Sequence, residues 1–477
     1  MARKRLAIIG NGMGTCRLLD ELVARDAQFL YEITVYGEEP GGAYNRIMLG
    51  KVLGGEAPDT IVTKPPEWYD RHGIRLLSRT RVKRLDTLRK NVESEDGQSR
   101  RYDLAVLATG SQPLVPPLAG MLGEDGEMRQ GAFVYRTIGD CIRMRDHARP
   151  GDSAVIVGGG LLGLEAAKVL SDAGLHVTVV QVSPVLMNAQ LDSIGGEMLC
   201  RQIVHAGIFV RTGKTVESLY GDERIEGVIL DDGTTLPADM VVLACGVRPR
   251  VDLARASGLP VNKGIVVNDT LATQVPSVYA FGECAEHRGK TYGIVTPVWE
   301  QAVVLADVLS GSKTQSRYRG SKLYTRLKVA GVEVAAMGVQ EPELESDETF
   351  QIVEERRNAY RKLIVRGGQL VGAMLVGNTS AAAALVQLFD RADPLPEDPL
   401  EILCQARGAS APLERIVCNC HKVSDKTLRA AVEGGADSLE ALCAATRAGT
   451  GCGSCRSELG QLISTLKKPA PALEAAS

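Results

Sequence analysis

Two stretches of the chain, about 150 residues apart, share one pattern of apolar and polar positions. Each has a short aliphatic run, a glycine-rich turn and then apolar residues at intervals of three and four, as in RLAIIGNGMGTCRLLDELVARD and SAVIVGGGLLGLEAAKVLSDAG. An entirely apolar run is typical of a buried parallel strand, and the later spacing is typical of an amphipathic helix. The pattern therefore predicts two strand-turn-helix units, one for each of two nucleotide sites.

The longest uncharged run, LVGAMLVGNTSAAAALVQLF at 370–389, is long enough to cross a membrane, but Gly377 to Ser380 interrupt it. A buried strand, a turn with a helix cap and an alanine-rich helix explain the run better. The formal net charge is −3 with acids and bases interspersed, so we expect neither nucleic acid nor a membrane as a partner. The apolar run Leu6–Ile9 is too short for a signal peptide, which favours a cytoplasmic protein.

The first glycine loop contains Gly10 and Gly12, and it has Thr15 where a third glycine is usual, with Gly14 before it. Such a turn brings backbone N–H groups and a helix N-terminus against a pyrophosphate. Because Thr15 is larger than glycine, we expect the helix and the strand to pack a little further apart. The next strand ends near Glu38 or the glutamate after it, where a carboxylate can accept hydrogen bonds from ribose hydroxyls.

The second loop has the complete spacing, with Gly158, Gly160 and Gly163. Its following strand ends at Gln181, where an NAD site usually has an acid, and no arginine follows at once to hold the 2′-phosphate of NADP. The sequence therefore predicts an NAD(P)H site and favours NADH only slightly.

Eleven cysteines without a secretory signal do not indicate a disulfide framework. Seven are isolated, but Cys418, Cys420, Cys452 and Cys455 form a Cys-x-Cys and Cys-x-x-Cys set in a small helical segment. Four thiolates can hold zinc or an iron–sulfur cluster. The Cys-x-Cys spacing is unusual for zinc, which favours a [2Fe–2S] cluster and leaves zinc as the alternative. For His421 we expect a hydrogen bond near the ligands or exposure to solvent.

The segments DLAVLATGS at 103–111, LACGVRPR at 243–250 and PSVYAFGECAE at 276–286, together with the first glycine loop, resemble the flavoprotein reductases with two dinucleotide-binding domains. Three further segments resemble the FAD- and NADH-binding half of assimilatory nitrite reductase large subunits. They are also similar to the reductase component of bacterial assimilatory nitrate reductases. These segments are YNRIMLGK, YGIVTPVWEQA and SKLYTRLKVAGVEV. The VCNC and GCGSC segments resemble the [2Fe–2S] domain of bacterioferritin-associated ferredoxins.

This resemblance implies an α/β fold like that of pyridine nucleotide-disulfide reductases. We expect two Rossmann-like dinucleotide-binding domains, a small α+β third domain and a small helical [2Fe–2S] domain. The expected boundaries are 1–112 with 245–320 for the FAD domain, 113–244 for the NAD(P)H domain, 321–400 for the third domain, 401–414 for a linker, 415–466 for the [2Fe–2S] domain and 467–477 for a disordered tail.

The resemblance also implies roles for individual residues. Lys51 and Glu165 are the expected catalytic residues, with Glu165 near the nicotinamide, where it could pair with Lys51 and orient the donor. The expected cofactor-binding residues are Gly10, Gly12, Gly14, Glu38, Arg46, Lys51, Thr109, Gly110, Gly158, Gly160, Gly163, Gln181, Gly246, Gly282 and Glu283. Many relatives have aspartate at the position of Glu283, whereas the nitrite reductases also have glutamate.

Electron exit through a flavin-side dithiol is excluded, because no cysteine lies between Cys16 and Cys141. Hydride carries two electrons and a [2Fe–2S] cluster accepts one at a time, so we expect the cluster to turn over twice for each NAD(P)H. No sirohaem half follows, and we therefore expect an electron-transfer subunit that feeds a separate molybdenum-containing assimilatory nitrate reductase. The alternatives are a reductase for nitrite reductase, a ferredoxin or another oxidoreductase, and a non-catalytic redox or iron sensor.

Overall fold

A computed structural model describes residues 3–329, 331–396, 398–404, 416–418, 421–451, 453 and 455–466. Its residues form two compact units. Unit 1 comprises the chain up to Pro184 together with Gly207–Leu323, and unit 2 comprises Val185–Ala206 together with the chain from Tyr324 on. This division does not separate the two expected dinucleotide-binding domains, so their boundaries stay predictions.

Most of the strands belong to unit 1. They are β1 (Lys4–Ile9), β2 (Tyr31–Tyr36), β3 (Ala43–Tyr44), β4 (Val62–Lys64), β5 (Arg75–Leu77), β6 (Val82–Asp86), β7 (Asn91–Ser94), β8 (Ser99–Arg101), β9 (Leu104–Leu107), β10 (Ser111–Pro113), β11 (Ala132–Val134), β12 (Ser153–Val157), β13 (His176–Gln181), β14 (Phe209–Thr212), β15 (Val216–Tyr220), β16 (Gly227–Leu230), β17 (Thr235–Pro237), β18 (Met240–Leu243), β19 (Val247–Pro249), β20 (Ile265–Val267), β21 (Val278–Ala280) and β22 (Ala285–His287). The strands of unit 2 are β23 (Tyr324–Val329), β24 (Val332–Gly338), β25 (Glu348–Glu354), β26 (Ala359–Arg366), β27 (Gln369–Val376), β28 (Ile416–Cys418) and β29 (Val423–Ser424).

Each of the two units contains several of the α-helices. They are α1 (Met13–Val23), α2 (Leu49–Leu53), α3 (Pro66–Arg71), α4 (Ile138–His147), α5 (Leu161–Asp172), α6 (Ser193–His205), α7 (Asp252–Ala256), α8 (Val295–Ser310), α9 (Ala382–Arg391), α10 (Leu400–Cys404), α11 (Asp425–Glu433), α12 (Leu439–Thr446) and α13 (Arg456–Leu466).

Unit 1 contains two parallel five-stranded sheets. Their strand orders are β21-β9-β1-β2-β5 and β11-β18-β12-β13-β14. The central strands β1 and β12 bury four consecutive residues each, because both faces of a parallel sheet are covered. Each is followed by a glycine turn and a helix, which confirms the two predicted strand-turn-helix units. Both glycine turns therefore lie at the carboxyl end of a central strand.

Unit 2 is built on an antiparallel sheet with the order β23-β24-β27-β26-β25. The uncharged run at 370–389 forms most of β27, a turn and most of α9, which confirms the predicted strand and helix. The expected helix cap is absent: Ala381 is the N-cap residue and has no capping side chain, while the Thr379 hydroxyl donates to Glu333 at 2.6 Å. Among the described residues, no helix has both the length and the apolar character needed to span a bilayer.

Helix α6 packs with the sheet of unit 2, although its sequence lies inside the expected NAD(P)H domain. Its N-cap residue Asp192 accepts hydrogen bonds from Tyr360 Oη at 2.6 Å and from Lys362 Nζ at 2.9 Å. All three side chains are buried, and a buried charge is stable only when it is paired in this way. The contact ties α6 to β26.

The described residues between 416 and 466 form a small helical unit, which we call the cysteine module. The predicted helical spacing is confirmed by α11 and α12, whose N-cap residues Ser424 and Ser438 accept hydrogen bonds from backbone N–H groups. The expected linker at 401–414 begins within α10, and residues 405–415 lie outside the described residues, as does the expected tail at 467–477.

Candidate functional site

The first glycine loop leaves the buried end of β1 and leads into α1. The Gly10 N–H donates to the Tyr36 carbonyl oxygen at 2.8 Å, and its φ of +111° is one that glycine adopts readily. A Cβ at Gly10 would lie 2.1 Å from the Ala108 carbonyl oxygen, so no larger residue fits. Gly12 is the N-cap residue of α1, without a capping side chain and with open space at its Cβ position. An uncapped helix N-terminus beside open space fits a pyrophosphate.

Thr15 occupies the position of the usual third glycine and is fully buried. Its hydroxyl donates to the Gly10 carbonyl oxygen at 2.6 Å. The side chain is therefore accommodated by a hydrogen bond to the loop. Gly14, just before it, is close to α8, since a Cβ there would lie 3.0 Å from Val298 Cγ1. The expected wider spacing between helix and strand stays a prediction.

Glu38 lies two residues beyond the end of β2. Its carboxylate forms an ion pair with Arg250. The Arg250 backbone N–H donates to the Gly110 carbonyl oxygen at 2.9 Å, and the Thr109 hydroxyl donates to the Arg250 carbonyl oxygen at 2.7 Å. Arg250 thus brings together three expected cofactor-binding residues. Arg250 ends the segment LACGVRPR at 243–250, but no spacing in the sequence indicates a role for it.

Arg46 is held in a cluster of charged and polar side chains. It pairs with Glu39, and its Nη1 donates at 2.8 Å to both Tyr44 Oη and the Arg136 carbonyl oxygen. Tyr44 Oη in turn donates to Glu39 at 2.6 Å. Burial raises the pKa of Tyr44, which therefore stays a neutral donor. Glu39, the second candidate for a ribose contact, uses both oxygens within this cluster.

Glu283 lies beside Gly282, whose φ is +83°. The Glu283 carboxylate accepts from Ser111 Oγ at 2.6 Å and from Arg136 Nη2 at 2.5 Å. Within the part of the chain that the structure describes, the buried Arg136 Nε and Tyr135 Oη have no hydrogen-bond partner. Buried polar atoms normally have one, so these two fit a site completed by a bound group. Sequence reasoning missed both residues: Ser111 ends the segment DLAVLATGS but was assigned no role, and Arg136 lies outside every motif.

The expected ion pair between Lys51 and Glu165 is not formed, which corrects the prediction. Lys51 Nζ pairs instead with Glu56 at 3.2 Å, and both side chains are nearly half exposed. Glu165 faces the neighbouring Gly50, where a Cβ would lie 2.6 Å from its Oε1. No described residue forms an ion pair with Glu165. Gly50 and Lys51 are consecutive residues of α2 and point about 100° apart around the helix, so with Gly50 against Glu165 the Lys51 side chain faces another direction.

Burial raises the pKa of Glu165 to about 7, because desolvation disfavours the charged carboxylate. Cys141 and Tyr135 lie close enough for the charge of Glu165 to raise their pKa values as well, after the larger effect of burial. A carboxyl group with this pKa can hold or release a proton near neutral pH.

The second glycine loop connects β12 to α5. Gly158 has a φ of +119°, and a Cβ there would lie 2.3 Å from the Ala244 carbonyl oxygen. A Cβ at Gly163 would lie 2.0 Å from the Gly158 carbonyl oxygen, so this loop does require its third glycine. Gly160 is the N-cap residue of α5, without a capping side chain and with open space at its Cβ position. This loop also fits a pyrophosphate.

Gln181 is buried at the end of β13 and turns toward the loop. Its Oε1 accepts from the Gly159 N–H at 2.8 Å, so the buried amide holds the loop against the end of β13. Gly246 follows β18, which lies on the other side of β12 from β13; its φ is +104°, and its carbonyl oxygen accepts from the Leu114 N–H at 2.9 Å. Neither contact selects NADH or NADPH, so the slight preference for NADH stays a prediction.

The cysteine module buries Cys418 at the end of β28 and Cys455 just before α13. Cys420 and Cys452 lie outside the described residues. The residues next to them are described: Thr450 Oγ1 lies 3.2 Å from His421 Nε2, which is the expected hydrogen bond of His421. This bond joins the two cysteine-bearing segments. Cys418 and Cys455 belong to one buried cluster, and the contact between His421 and Thr450 joins the other two segments, so the module fits a four-cysteine site.

Three family models match successive parts of the chain. The pyridine nucleotide-disulphide oxidoreductase model matches residues 4–304, the rubredoxin NAD+ reductase C-terminal domain model matches 324–392, and the BFD-like [2Fe-2S] binding domain model matches 416–465. The first implies FAD and NAD(P)H as cofactors, and the last implies a [2Fe–2S] cluster instead of zinc.

Two relatives from Bacillus subtilis match nearly the whole chain. A nitrite reductase [NAD(P)H] is 37% identical over 97% of this chain and 58% of its own length. An assimilatory nitrate reductase electron transfer subunit is 33% identical over 97% of this chain and 60% of its own length. The chain thus spans about 60% of the length of either relative, which is less than two thirds.

The solved structures support the fold. The complex of putidaredoxin reductase with putidaredoxin matches with a TM-score of 0.75 at 24% identity, covering 84% of this chain and 99% of the matched chain. At this identity the match shows the fold and nothing further. Together with the family model that spans residues 4–304, these findings show that the chain belongs to the pyridine nucleotide-disulphide oxidoreductase family and carries a C-terminal BFD-like [2Fe–2S] domain.

Proposed function

We propose that this chain is an electron-transfer reductase that takes hydride from NAD(P)H onto FAD and delivers single electrons through a [2Fe–2S] cluster to a separate molybdenum-containing assimilatory nitrate reductase. One observation carries the proposal: two glycine loops with uncapped helix N-termini share the chain with a module that buries Cys418 and Cys455. A cytoplasmic location belongs to the proposal, because four thiolates stay reduced there.

When bound, FAD supplies the step between two-electron hydride transfer and one-electron transfer. The residues of this chain would bind and orient the reactants. The loops after β1 and β12 would hold the two pyrophosphates, with Arg250 and Glu38 near the ribose of the first. Arg46 and Arg136 would place positive charge beside the flavin, and their clusters are joined by the Arg46 hydrogen bond to the Arg136 carbonyl oxygen.

Glu165 would hold a proton at its carboxyl group close to the nicotinamide site. Its pKa of about 7 allows both protonation states at the working pH, and the absence of an ion pair with Lys51 leaves it free to exchange. Lys51, paired with Glu56, would contribute positive charge at the flavin edge. Cys418, Cys420, Cys452 and Cys455 would be the cluster ligands.

The choice of acceptor rests on the nitrate reductase relative. The nitrite reductase relative supports a second candidate, a reductase for nitrite reductase, and has the higher identity. Both candidates use the same cofactors and differ only in the acceptor. If the purified chain reduced nitrite with NADH unaided, neither proposal of a separate acceptor would hold.

Anaerobic visible and electron paramagnetic resonance (EPR) spectra, recorded before and after stoichiometric NADH, test the electron path. We expect the flavin bands to bleach and a reduced [2Fe–2S] signal to appear. The Cys452→Ser variant should keep flavin bleaching and lose the EPR signal and transfer to nitrate reductase. Cys404→Ser, at an exposed cysteine outside the module, is the matched control and should behave as the parent protein. Bleaching without a cluster signal in the parent protein would contradict the proposal.

A further inference from the structure

The cysteine module is covered on one side by the rest of unit 2. Helix α9 contacts β28, the strand that ends at Cys418. Arg326 on β23 pairs with Glu458 in the first turn of α13 at 3.3 Å, and both side chains are mostly buried. Because these contacts lie next to Cys418 and Cys455, an acceptor protein cannot approach the cluster from this side.

A second side of the module is open to solvent. Thr450 is exposed, and its hydroxyl donates to the Arg447 carbonyl oxygen at 2.7 Å. A hydroxyl has a single proton, so at the 3.2 Å contact His421 Nε2 is the donor and Thr450 the acceptor. This chain of bonds links the segment after Cys420 with the segment before Cys452. We call the surface formed by His421, Lys422, Arg447 and Thr450 the exit edge.

The two segments that form the exit edge carry charge of one sign. The two ligand-bearing segments, 416–424 and 446–456, contain Lys422, Arg447 and Arg456 and no aspartate or glutamate. Lys422 and Arg447 are exposed, and Lys422 forms no ion pair with any described residue. Within residues 416–466, the acids stand outside these two segments, at Asp425, Glu433, Asp437, Glu440 and Glu458.

We propose that the exit edge is the docking surface for an acidic one-electron acceptor protein. The proposal rests on the proposed function, because it needs a cluster that delivers electrons. Exposed cations beside the ligands would steer a negatively charged surface toward the open side and leave it within a short distance of the cluster. The occupant is therefore a redox protein with carboxylates around its own acceptor centre.

Both cations stand on left-handed backbone, with φ of +52° at Lys422 and +63° at Arg447. Asparagine and aspartate tolerate this conformation better than other non-glycine residues. The matched variants are therefore Lys422→Asp with Arg447→Asp for charge reversal, and Lys422→Asn with Arg447→Asn for neutralisation. Arg356→Asp is the control, since Arg356 is an exposed cation in the turn between β25 and β26, at the opposite edge of the sheet from β23.

The probes are two small one-electron acceptors of opposite charge, ferricyanide and hexaamminecobalt(III). The NADH-reduced holoprotein is mixed with either one, and the decay of the reduced-cluster EPR signal is followed by rapid freezing. At low ionic strength, charge reversal should slow oxidation by ferricyanide at least about tenfold and speed oxidation by hexaamminecobalt(III). Both effects should shrink in about 0.5 M salt because the charges are screened. Neutralisation should give intermediate rates, and Arg356→Asp should change neither.

Three outcomes would overturn the inference. Unchanged rates in the reversal variant would place the electron exit elsewhere. Parallel changes with both probes, explained by a shift in the cluster reduction potential of the same variants, would mean that the cations serve only the charge of the cluster. A parent protein with no reduced-cluster signal would refute the proposed function as well, whereas the first two outcomes leave that function intact.

Discussion

The two glycine loops of unit 1 leave their central strands in the same register and then differ. The Gly10 N–H donates to the Tyr36 carbonyl oxygen and the Gly158 N–H to that of Val180, each at 2.8 Å. The next positions exchange their roles. In the first pair, the side chain belongs to Asn11 in the loop, and the facing residue after β2 is Gly37. A Cβ at Gly37 would lie 3.0 Å from Asn11.

In the second loop the strand carries the side chain and the loop the glycine. Gln181 occupies the register of Gly37, and its amide bonds to Gly159, which occupies the register of Asn11. Asn11 is in turn anchored by Tyr69, whose hydroxyl donates to it at 2.6 Å. The same space is thus filled from opposite sides, which shows that a glycine motif does not determine its surroundings alone.

The two loops also differ at the position of the third glycine of the motif, which is Thr15 in the first loop and Gly163 in the second. Thr15 is buried and bonds to Gly10, whereas any side chain at Gly163 would collide with Gly158. Two residues further on, Arg17 pairs with Glu21 at 2.8 Å on α1, while Glu165 has no ion-pair partner among the described residues. The first helix therefore starts with a compensated charge, and the second starts with a carboxyl group whose pKa is raised.

The largest effect that would sharpen this contrast is expected for Gly163→Ala. Its Cβ would lie 2.0 Å from the Gly158 carbonyl oxygen, so the loop must shift. We expect the free energy of unfolding to fall by about 3 kcal/mol and flavin reduction by NADH to be lost. Chemical denaturation and stopped-flow bleaching measure the two effects. Thr15→Ala, at the matching position, is the control and should keep flavin bound and reducible.

The next effect concerns Glu165→Gln and depends on pH. In the folded protein the pKa of Glu165 is about 7, above that of an unfolded carboxyl group. As pH rises from about 4 to 7, the unfolded chain ionises first, so the free energy of unfolding falls. About one pH unit above 7 the loss is complete, at about 2 kcal/mol after allowance for partial exposure.

The glutamine variant should abolish this pH dependence and be more stable than the parent protein at pH 8. Denaturation midpoints at pH 5 and pH 8 measure the difference. Glu56→Gln, at the exposed partner of Lys51, is the control and should leave the pH dependence unchanged. Equal pH dependence in Glu165→Gln and the parent protein would show that Glu165 titrates normally.

Gln181→Glu is expected to change cofactor preference. The glutamate can keep an oxygen near the Gly159 N–H, and its negative charge disfavours the 2′-phosphate of NADPH. We expect kcat/KM for NADPH to fall about tenfold relative to NADH, or about 1.4 kcal/mol. Steady-state dye reduction with both nucleotides measures this. A parallel fall for both would show that Gln181 only supports the loop.

The smallest effect is expected for Thr15→Val, which keeps the branched shape and removes the hydroxyl. Loss of the 2.6 Å bond to the Gly10 carbonyl oxygen should lower the free energy of unfolding by about 1 kcal/mol. Thr15→Ser keeps the donor and should recover most of the loss in the same denaturation experiment. If the valine variant were as stable as the parent protein, the hydroxyl would contribute nothing to the loop.

The sequence was sufficient for features that depend on neighbours along the chain. Apolar runs and helical spacing predicted β1, α1, β12 and α5, because a strand or helix buries residues at fixed intervals. The strand and the helix of the run at 370–389 follow the same rule, whereas the helix cap expected between them does not form. The sharp backbone turns at Gly10 and Gly158 could also be predicted, because each turn has a positive φ that few residues other than glycine adopt.

Only the tertiary structure decided which charged and polar side chains meet. Lys51 pairs with Glu56 and not with Glu165. Arg250 forms an ion pair with Glu38 and accepts a hydrogen bond from Thr109. Arg136 forms an ion pair with Glu283. These contacts join residues that are up to 212 positions apart, and sequence spacing carries no information on them. The sequence by itself determined where strands, turns and helices form, because local periodicity decides which residues can be buried. The partners of the charged side chains depend on how those elements pack.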